Sequence, residues 1–341
     1  SKSKVLELPK SRECRELYQD LSIQSLEEDN LVEKFVVPDF DSLSDTEKEK
    51  VVESIKNKWD ILKRNSMLVK SIENLEFIPN MGHMTQPDSN RGQRSVAFLA
   101  AKELYDPENK ILMSIFSDQP YRFPTGKYRR KDWLAFLRDI GLVSEISSNV
   151  YFTCADKLAL DGAKQMSNNG GCIGNQLAEK AGDLIQYFDQ HFTELYSVES
   201  ISRLRDIAFV PVTQPPLSRQ NRSRNIKNES RKSSNNSSIS TQGKTMVKFS
   251  ACLLHVDRHL GWTQMPILPE QFQIQHLVLK KVGVQSPPPY PIVISHIQDI
   301  CSELDNGSLI MSYIDSPPEV FHNILRYFEK RWNNNANGVE K

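Results

Sequence analysis

The sequence predicts a mainly helical α+β protein, built from two degenerate tandem modules of helices with short edge strands. Three observations predict this class: apolar stripes with helical spacing, short strand-like runs that end in proline, and an order of motifs that occurs twice. At 341 residues with 38% apolar side chains, the chain has enough material for two cores. We place the first module at residues 1–160 and the second at 161–332.

Two apolar stripes predict helices in the first module. They contain Val51, Ile55, Trp59 and Leu62, and Trp133, Phe136, Leu137 and Ile140. Ser44 and Glu47 have the spacing of a capping box ahead of the first stripe. Gly141 follows the second stripe, where a helix favours a left-handed C-terminal residue. We therefore expect Trp133 to lie in the core.

Three further stripes predict helices in the second module. They contain Leu177, Ala181, Leu184, Phe188, Phe192 and Leu195; Val293, Ile297, Ile300 and Leu304; and Phe321, Leu325, Phe328 and Trp332. The strand-like runs are LEFIP at 75–79, AFVPV at 208–212 and, as a weaker candidate, NVYFT at 149–153. Proline has no N–H for a neighbouring strand, so Pro79 and Pro211 predict edge strands or strand ends.

The order of motifs in the first module occurs again in the second. Phe77 in the first strand-like run corresponds to Phe209, 132 residues later, and Gly141 corresponds to Gly283, 142 residues later. The Phe-Pro pair at 123–124 corresponds to Leu-Pro at 268–269, 145 residues later. The separation grows across residues 218–246, which predicts an insertion in the second copy. Because these 29 residues exceed the growth, the second copy also lacks residues there.

Residues 218–246 differ in composition from the rest of the chain. Serine and asparagine dominate, and one acid, Glu229, stands against seven basic residues at positions 219, 222, 224, 227, 231, 232 and 244. Such a segment has too little apolar surface to offset the entropy lost on folding. We predict a disordered basic insertion at 218–246 and a loose tail at 333–341.

Composition excludes several classes of protein. The 43 basic and 43 acidic residues balance, so the whole chain is not an electrostatic binder of nucleic acid, and we do not expect that partner. No apolar run approaches the ~18–20 residues of a membrane span, so we expect no membrane partner. Five widely spaced cysteines indicate a reducing compartment, and we expect a cytoplasmic location. The absence of an initiator methionine suggests a fragment of a longer chain.

Several short motifs are typical of structural roles rather than catalytic ones. Tyr105-Asp106-Pro107 predicts a turn in which the Tyr105 ring is buried and its hydroxyl meets a carbonyl. Thr125-Gly126-Lys127 lacks both the earlier glycine and the following Ser or Thr of a phosphate-binding loop. A patch for a partner, or for nucleic acid, stays open at Lys127, Tyr128, Arg129, Arg130, Lys131 and Trp133.

The cysteine and histidine motifs are also weak indicators of chemistry. Cys252, His255 and His259 have a spacing compatible with zinc on a helix, but no second ligand pair lies nearby. Cys172 lies among glycines with no histidine within eighteen residues to activate it. We predict no catalytic, cofactor-binding or metal-binding residue.

Five segments together resemble the large repeats of sacsin and sacsin-like proteins. They are FVVPDFDSLSDTEKEKVVESIKNKW (35–59), LEFIPNMG (75–82), KELYDPENKIL (102–112), FPTGKYRRKDWLAFLRDIGL (123–142) and FSACLLHVDRHLGWTQMPILP (249–269). Their order matches as well: a strand with proline, a Leu-Tyr-Asp-Pro segment, Phe-Pro, and a helix ending in Gly-Leu. The resemblance covers residues 35–300 in pieces.

The resemblance implies chaperone work. In that family an ATPase-like domain of the GHKL type, related to heat-shock chaperones, precedes a long region, and this chain is similar to that second region. The chain has neither the Asp-x-Gly-x-Gly turn nor the helix with paired Glu and Asn by which such ATPases hold magnesium and nucleotide. No nucleotide-binding residue therefore carries over, and the resemblance implies no cofactor. Arg219 is a candidate for the role of the arginine with which a chaperone's middle domain assists its ATPase, but it lies at the start of the predicted disordered insertion, so we do not assign it that role.

The function we expect from the sequence is a non-catalytic segment of a sacsin-like chaperone or co-chaperone. It binds client proteins or chaperone machinery, or positions a neighbouring ATPase domain of a longer chain. Two other functions stay open. One is an interaction scaffold without chaperone activity that uses the basic residues 218–246, and the other is an enzyme whose site assembles only in three dimensions.

Overall fold

The computed structural model describes residues 28–80, 97–195, 197–213, 243–269, 276–305 and 317–336. The chain divides into two compact units between Glu145 and Ile146. Helices dominate both units, and each unit contains a two-stranded antiparallel sheet. The prediction of a mainly helical α+β fold is thus confirmed.

The first unit has short helices and a short sheet. Its helices are α1 (Glu28–Leu31), α2 (Asp45–Asn57), α3 (Trp59–Leu62), α4 (Ser66–Ile72), α5 (Lys110–Ile115) and α6 (Lys131–Asp139). Its strands are β1 (Ile78–Asn80) and β2 (Ala97–Leu99), with Ile78 opposite Leu99. A single π-helical turn (Val32–Val36) follows α1, and 3₁₀ turns lie at Phe40–Ser42, Ala101–Glu103, Pro120–Arg122 and Gly126–Arg129.

Polar side chains fix where these helices begin. The backbone N–H of Ser44 donates to Glu47 Oε2 at 2.9 Å, which confirms the predicted capping box of α2. Asn65 and Asn109 cap α4 and α5, because the Oδ1 atom of each accepts hydrogen bonds from two N–H groups of the helix that follows.

Both predicted stripes of the first unit face its core. Trp59, at the end of the first stripe, packs edge-on against Phe136, with their ring centroids 5.0 Å apart. Trp133 is 2% exposed and packs edge-on against Tyr128 at 4.8 Å. These aromatic contacts join α3 and α6 to the turn that precedes α6.

The second unit has longer helices. They are α7 (Ser148–Asn168), α8 (Asn175–Gln190), α9 (Phe192–Leu195), α10 (Val198–Asp206), α11 (His276–Lys281), α12 (Tyr290–Asp305) and α13 (Pro317–Ala336). Strands β3 (Val210–Thr213) and β4 (Lys244–Val247) pair antiparallel, with Pro211 opposite Met246. The 3₁₀ segments Phe249–Ala251 and His255–Leu260 follow β4. Proline thus lies in a two-stranded sheet in both units, as predicted.

Several sequence predictions for the second module are wrong. The candidate strand at 149–153 is part of α7, and the boundary predicted between 160 and 161 also falls inside this helix. The long stripe from Leu177 to Leu195 is interrupted at His191, between α8 and α9.

The two segments predicted to be unstructured both include residues that form secondary structure. Residues 244–246 of the predicted insertion form most of β4, and residues 218–242 lie outside the described residues. The predicted tail begins within α13, which continues to Ala336, and residues 337–341 are not described.

In the first unit, backbone hydrogen bonds connect the successive segments of the repeated motif. Tyr105 N donates to Arg122 O at 2.8 Å, and Val143 N donates to Leu104 O at 3.0 Å. Gly141 has a positive φ of 97°, so it ends α6 in the left-handed conformation that the sequence predicts.

The second unit contains the same motif. Leu253 N donates to Pro266 O at 2.9 Å, and Gln285 N donates to Cys252 O at 3.0 Å. Gly283, with a φ of 100°, follows α11 as Gly141 follows α6. The hydrogen bonds align residue 122 with residue 266, a separation of 144 where the Phe-Pro comparison predicts 145.

Candidate protein-binding surface

The Leu-Tyr-Asp-Pro segment forms a turn that is hydrogen-bonded to α6. Asp106 is buried, and its Oδ1 accepts the N–H of Glu108 at 2.9 Å, which confirms the predicted turn. Its Oδ2 accepts Arg138 Nε of α6 at 2.5 Å. Tyr105 is buried as predicted, and its hydroxyl accepts a hydrogen bond from Arg122 Nη1 at 3.2 Å.

Replacing Arg138 should lower the free energy of unfolding. The Asp106 and Glu108 carboxylates hold the Arg138 pKa above its ordinary value, and Arg138→Ala leaves the buried Asp106 carboxylate without its cation. Breaking a fully buried pair costs about 3–5 kcal/mol, and because Arg138 is partly exposed we expect about 2 kcal/mol. Urea unfolding measures this loss.

A matched control for Arg138→Ala is Arg130→Ala. Arg130 is exposed and lies 3.7 Å from the exposed Asp132. We expect this control to change the free energy of unfolding by less than about 0.5 kcal/mol. Equal losses in the two variants would contradict the role of the Asp106 pair.

The basic run before α6 is partly neutralised inside the first unit. Lys127 Nζ binds Glu49 at 2.5 Å and Glu53 at 2.8 Å. Burial alone would lower the Lys127 pKa, but these two hydrogen bonds outweigh it and raise the pKa above its ordinary value. Trp133 is buried, so this run does not present its tryptophan to a partner. Lys127 thus ties the turn before α6 to α2.

The cysteine and histidines considered for zinc are not gathered into a metal site. Cys252 is buried, its thiol donates to Lys248 O at 3.4 Å, and burial raises the pKa of Cys252 to about 12. His255 and His259 lie on the 3₁₀ segment that follows. In the residues that the structure describes, no three His, Cys, Asp or Glu side chains are placed to hold a metal ion.

The remaining candidates from the sequence are Cys172 and Arg219. Cys172 is half-buried, in the loop where Gly170 and Gly171 have positive φ. Its Sγ would lie 2.0 Å from a Cβ at Gly243, so the sulfur packs directly against the start of β4. Arg219 lies outside the described residues.

An exposed apolar ridge on α13 is the feature of this unit most suited to protein binding. The ridge consists of Phe321, Leu325, Phe328 and Trp332, the stripe that the sequence predicts for this helix. Leu325 is 61% exposed and Trp332 is 78% exposed, whereas Phe321 and Phe328 are half-buried. Tyr290 of α12 is 50% exposed and extends the ridge, with its ring centroid 5.5 Å from that of Phe328.

Phe321 and Phe328 also touch the core, but an adjacent face of α13 makes most of the core contacts. Val320, Ile324 and Tyr327 are buried and pack with Val293 and Ile300 of α12. The helix is thus apolar on two adjacent faces, of which one is buried. Sequence periodicity identifies the ridge as a stripe, but the exposure of the stripe depends on which face α12 covers.

Among the helices in the described ranges, none combines the length and the apolar character needed to cross a membrane. Comparisons with protein-family models, with curated proteins and with solved structures give no match for this chain.

Proposed function

We propose that this chain is a non-catalytic protein-binding segment of a sacsin-like chaperone or co-chaperone. Its partners are client proteins that expose apolar residues, or chaperone machinery that includes a neighbouring ATPase domain. The observation that carries the proposal is the exposed ridge on α13. We also propose a cytoplasmic location, which the free thiols of Cys172, Cys252 and Cys301 support.

The ridge has the chemistry of a protein-recognition surface. Large side chains in contact with one another at the surface mark binding sites more often than scattered ones do. Tryptophan and tyrosine dominate binding energy at interfaces, because their rings bury a large area and retain a polar atom. Trp332 and Tyr290 provide both ring types beside Leu325. Such a surface favours apolar segments of unfolded clients without selecting one sequence.

The test is suppression of aggregation of a heat-labile client protein, followed by light scattering without nucleotide. We expect equimolar wild-type chain to suppress most of the scattering, with no effect of added ATP. The double variant Leu325→Ser/Trp332→Ser should bind the client about 30-fold more weakly, since loss of an aromatic anchor costs about 2 kcal/mol. It should therefore suppress little scattering at the same ratio.

The matched control removes similar exposed apolar groups from the first unit. Ile61 is 61% exposed and Met67 is 62% exposed, so Ile61→Ser/Met67→Ser removes comparable side chains away from the ridge. We expect this control to behave as wild type. Suppression that both variants retain would contradict the role of the ridge, and failure of the wild-type chain would contradict client binding itself.

A further inference from the structure

A groove in the second unit lies on another side of α13. It is lined by the 3₁₀ segment His255–Leu260, by the Ser286-Pro287 bond, and by α13, and it encloses about 630 Å³. Val256, Leu260 and Pro287 provide apolar surface along it. A cavity of this volume lies within the range of pockets that hold ligands larger than an inorganic ion.

The charge of the groove is unbalanced. Four of its lining side chains, Lys280, Arg326, Lys330 and Arg331, are cationic, and one, Asp257, is acidic. Lys280, Arg326 and Lys330 are exposed, and within the described ranges of the chain no carboxylate lies at ion-pair distance from these three. The whole chain has equal numbers of basic and acidic residues, so this excess is local. A local excess of positive charge attracts anionic groups.

The groove and the ridge are separate surfaces. At about 100° per residue, the centre of the α13 residues that line the groove lies about 160° around the helix axis from the centre of the ridge. The core-facing residue Ile324 lies between the two sets. A variant of one surface therefore leaves the other surface intact.

Hydrogen bonds hold one wall of the groove in place. The Tyr327 hydroxyl donates to Pro288 O at 3.0 Å and accepts from Arg331 Nη1 at 2.9 Å. Tyr327 is buried, so its hydroxyl ties α13 to the segment just before α12. The cationic side chains of α13 thus extend from a helix that is fixed on its inner face.

We propose that this groove binds an acidic segment of another protein, one in which carboxylates alternate with apolar side chains. The carboxylates pair with Arg326, Lys330 and Lys280, and the apolar side chains cover Val256 and Leu260. A lone phosphate ion leaves most of the volume and the apolar surface unused. Nucleic acid has little to stack on here, because Tyr327 is buried and His259, the other ring that lines the groove, is half-buried.

The experiment measures fluorescence anisotropy of a short fluorescein-labelled peptide of alternating Glu and Leu. The charge reversal Arg326→Glu/Lys330→Glu should weaken its binding at least about tenfold at 0.15 M salt. A matched reversal in the first unit, Arg129→Glu/Lys131→Glu, changes the net charge equally at two exposed positions and should leave the affinity within about twofold. The same peptide with Gln in place of Glu should bind wild type as weakly as Glu-Leu binds the groove variant.

The outcomes separate this proposal from its competitors. Equal weakening by both reversals would overturn it, because the peptide would then respond to net charge alone. If poly(U) displaces the peptide at a lower concentration than unlabelled peptide does, the groove is a nucleic-acid site. If phosphate displaces the peptide at constant ionic strength, the groove is a simple anion site. Since the ridge variant Leu325→Ser/Trp332→Ser should bind the peptide as wild type does, failure here leaves the proposed function standing.

Discussion

Trp133→Ala should lower the free energy of unfolding by about 3–5 kcal/mol, the range for truncating a buried aromatic side chain. Trp133 is 2% exposed, and its ring packs edge-on against Tyr128 and Phe136. The ammonium groups of Lys56 and Lys127 lie 5.1 Å and 5.2 Å from its ring centroid. The variant therefore loses dispersion contacts and two cation–π contacts, and it leaves a cavity in the core.

The control for this loss is a tryptophan in a different environment. Trp332 is 78% exposed, so Trp332→Ala removes an equal volume without leaving a cavity. We expect it to change the free energy of unfolding by less than about 0.5 kcal/mol in the same urea titration. A loss below about 1 kcal/mol for Trp133→Ala would contradict the core position of this side chain and make the basic run around it a candidate surface again.

Local signals in the sequence predict the first unit well. The capping box at Ser44, the left-handed Gly141 and the stripe around Trp133 each depend on residues close in sequence, and the structure contains all three. The repeat is also visible in sequence, because its glycines and prolines occupy positions where the backbone restricts the choice of residue.

The errors occur where tertiary contacts decide. Asn149–Thr153 has strand-like composition, but Tyr151, Ala155 and Leu158 are buried at helical spacing on α7. Burial of that face outweighs the strand preference of aromatic and β-branched residues. The module boundary predicted between 160 and 161 falls within the same helix.

The binding surfaces are the part that sequence reasoning missed. The ridge on α13 has the periodicity of a core stripe, and only the packing of α12 on the adjacent face shows that Leu325 and Trp332 are exposed. The groove brings Asp257, Lys280 and Arg326 together from segments that are distant in sequence. Each segment alone has unremarkable charge, so no local signal could have identified the groove.

Acid should destabilise the second unit through His296. This side chain is fully buried on α12, and its Nε2 lies 3.1 Å from the His259 carbonyl, which can only accept a hydrogen bond. Nε2 therefore has the proton, and Nδ1 accepts the Thr263 hydroxyl at 2.8 Å. Burial lowers the pKa of His296 to about 4, although its hydrogen bond to His259 opposes that shift.

The direction of the effect follows from linkage. An unfolded histidine has a pKa of about 6.5, so the unfolded chain binds a proton at a pH where folded His296 does not. The stabilisation that neutral His296 provides is complete above pH 6.5 and is lost as the pH falls from about 6.5 towards about 4. We expect a loss of about 2 kcal/mol between pH 7.5 and pH 5.

The measurement compares urea unfolding of wild type and His296→Gln at those two pH values. Glutamine does not titrate, so wild type should lose about 2 kcal/mol more than the variant, and carboxylates that titrate in both proteins cancel in the difference. If His296→Gln fails to fold, the NMR shift of the His296 ring in wild type gives the same information. A ring that stays neutral down to pH 5 agrees with a buried His296 that accepts from Thr263 and donates to the His259 carbonyl. Protonation of Nδ1 would require the Thr263 hydroxyl to turn from donor to acceptor. Titration near pH 6.5 would therefore contradict this arrangement and show that water reaches His296 in the folded protein.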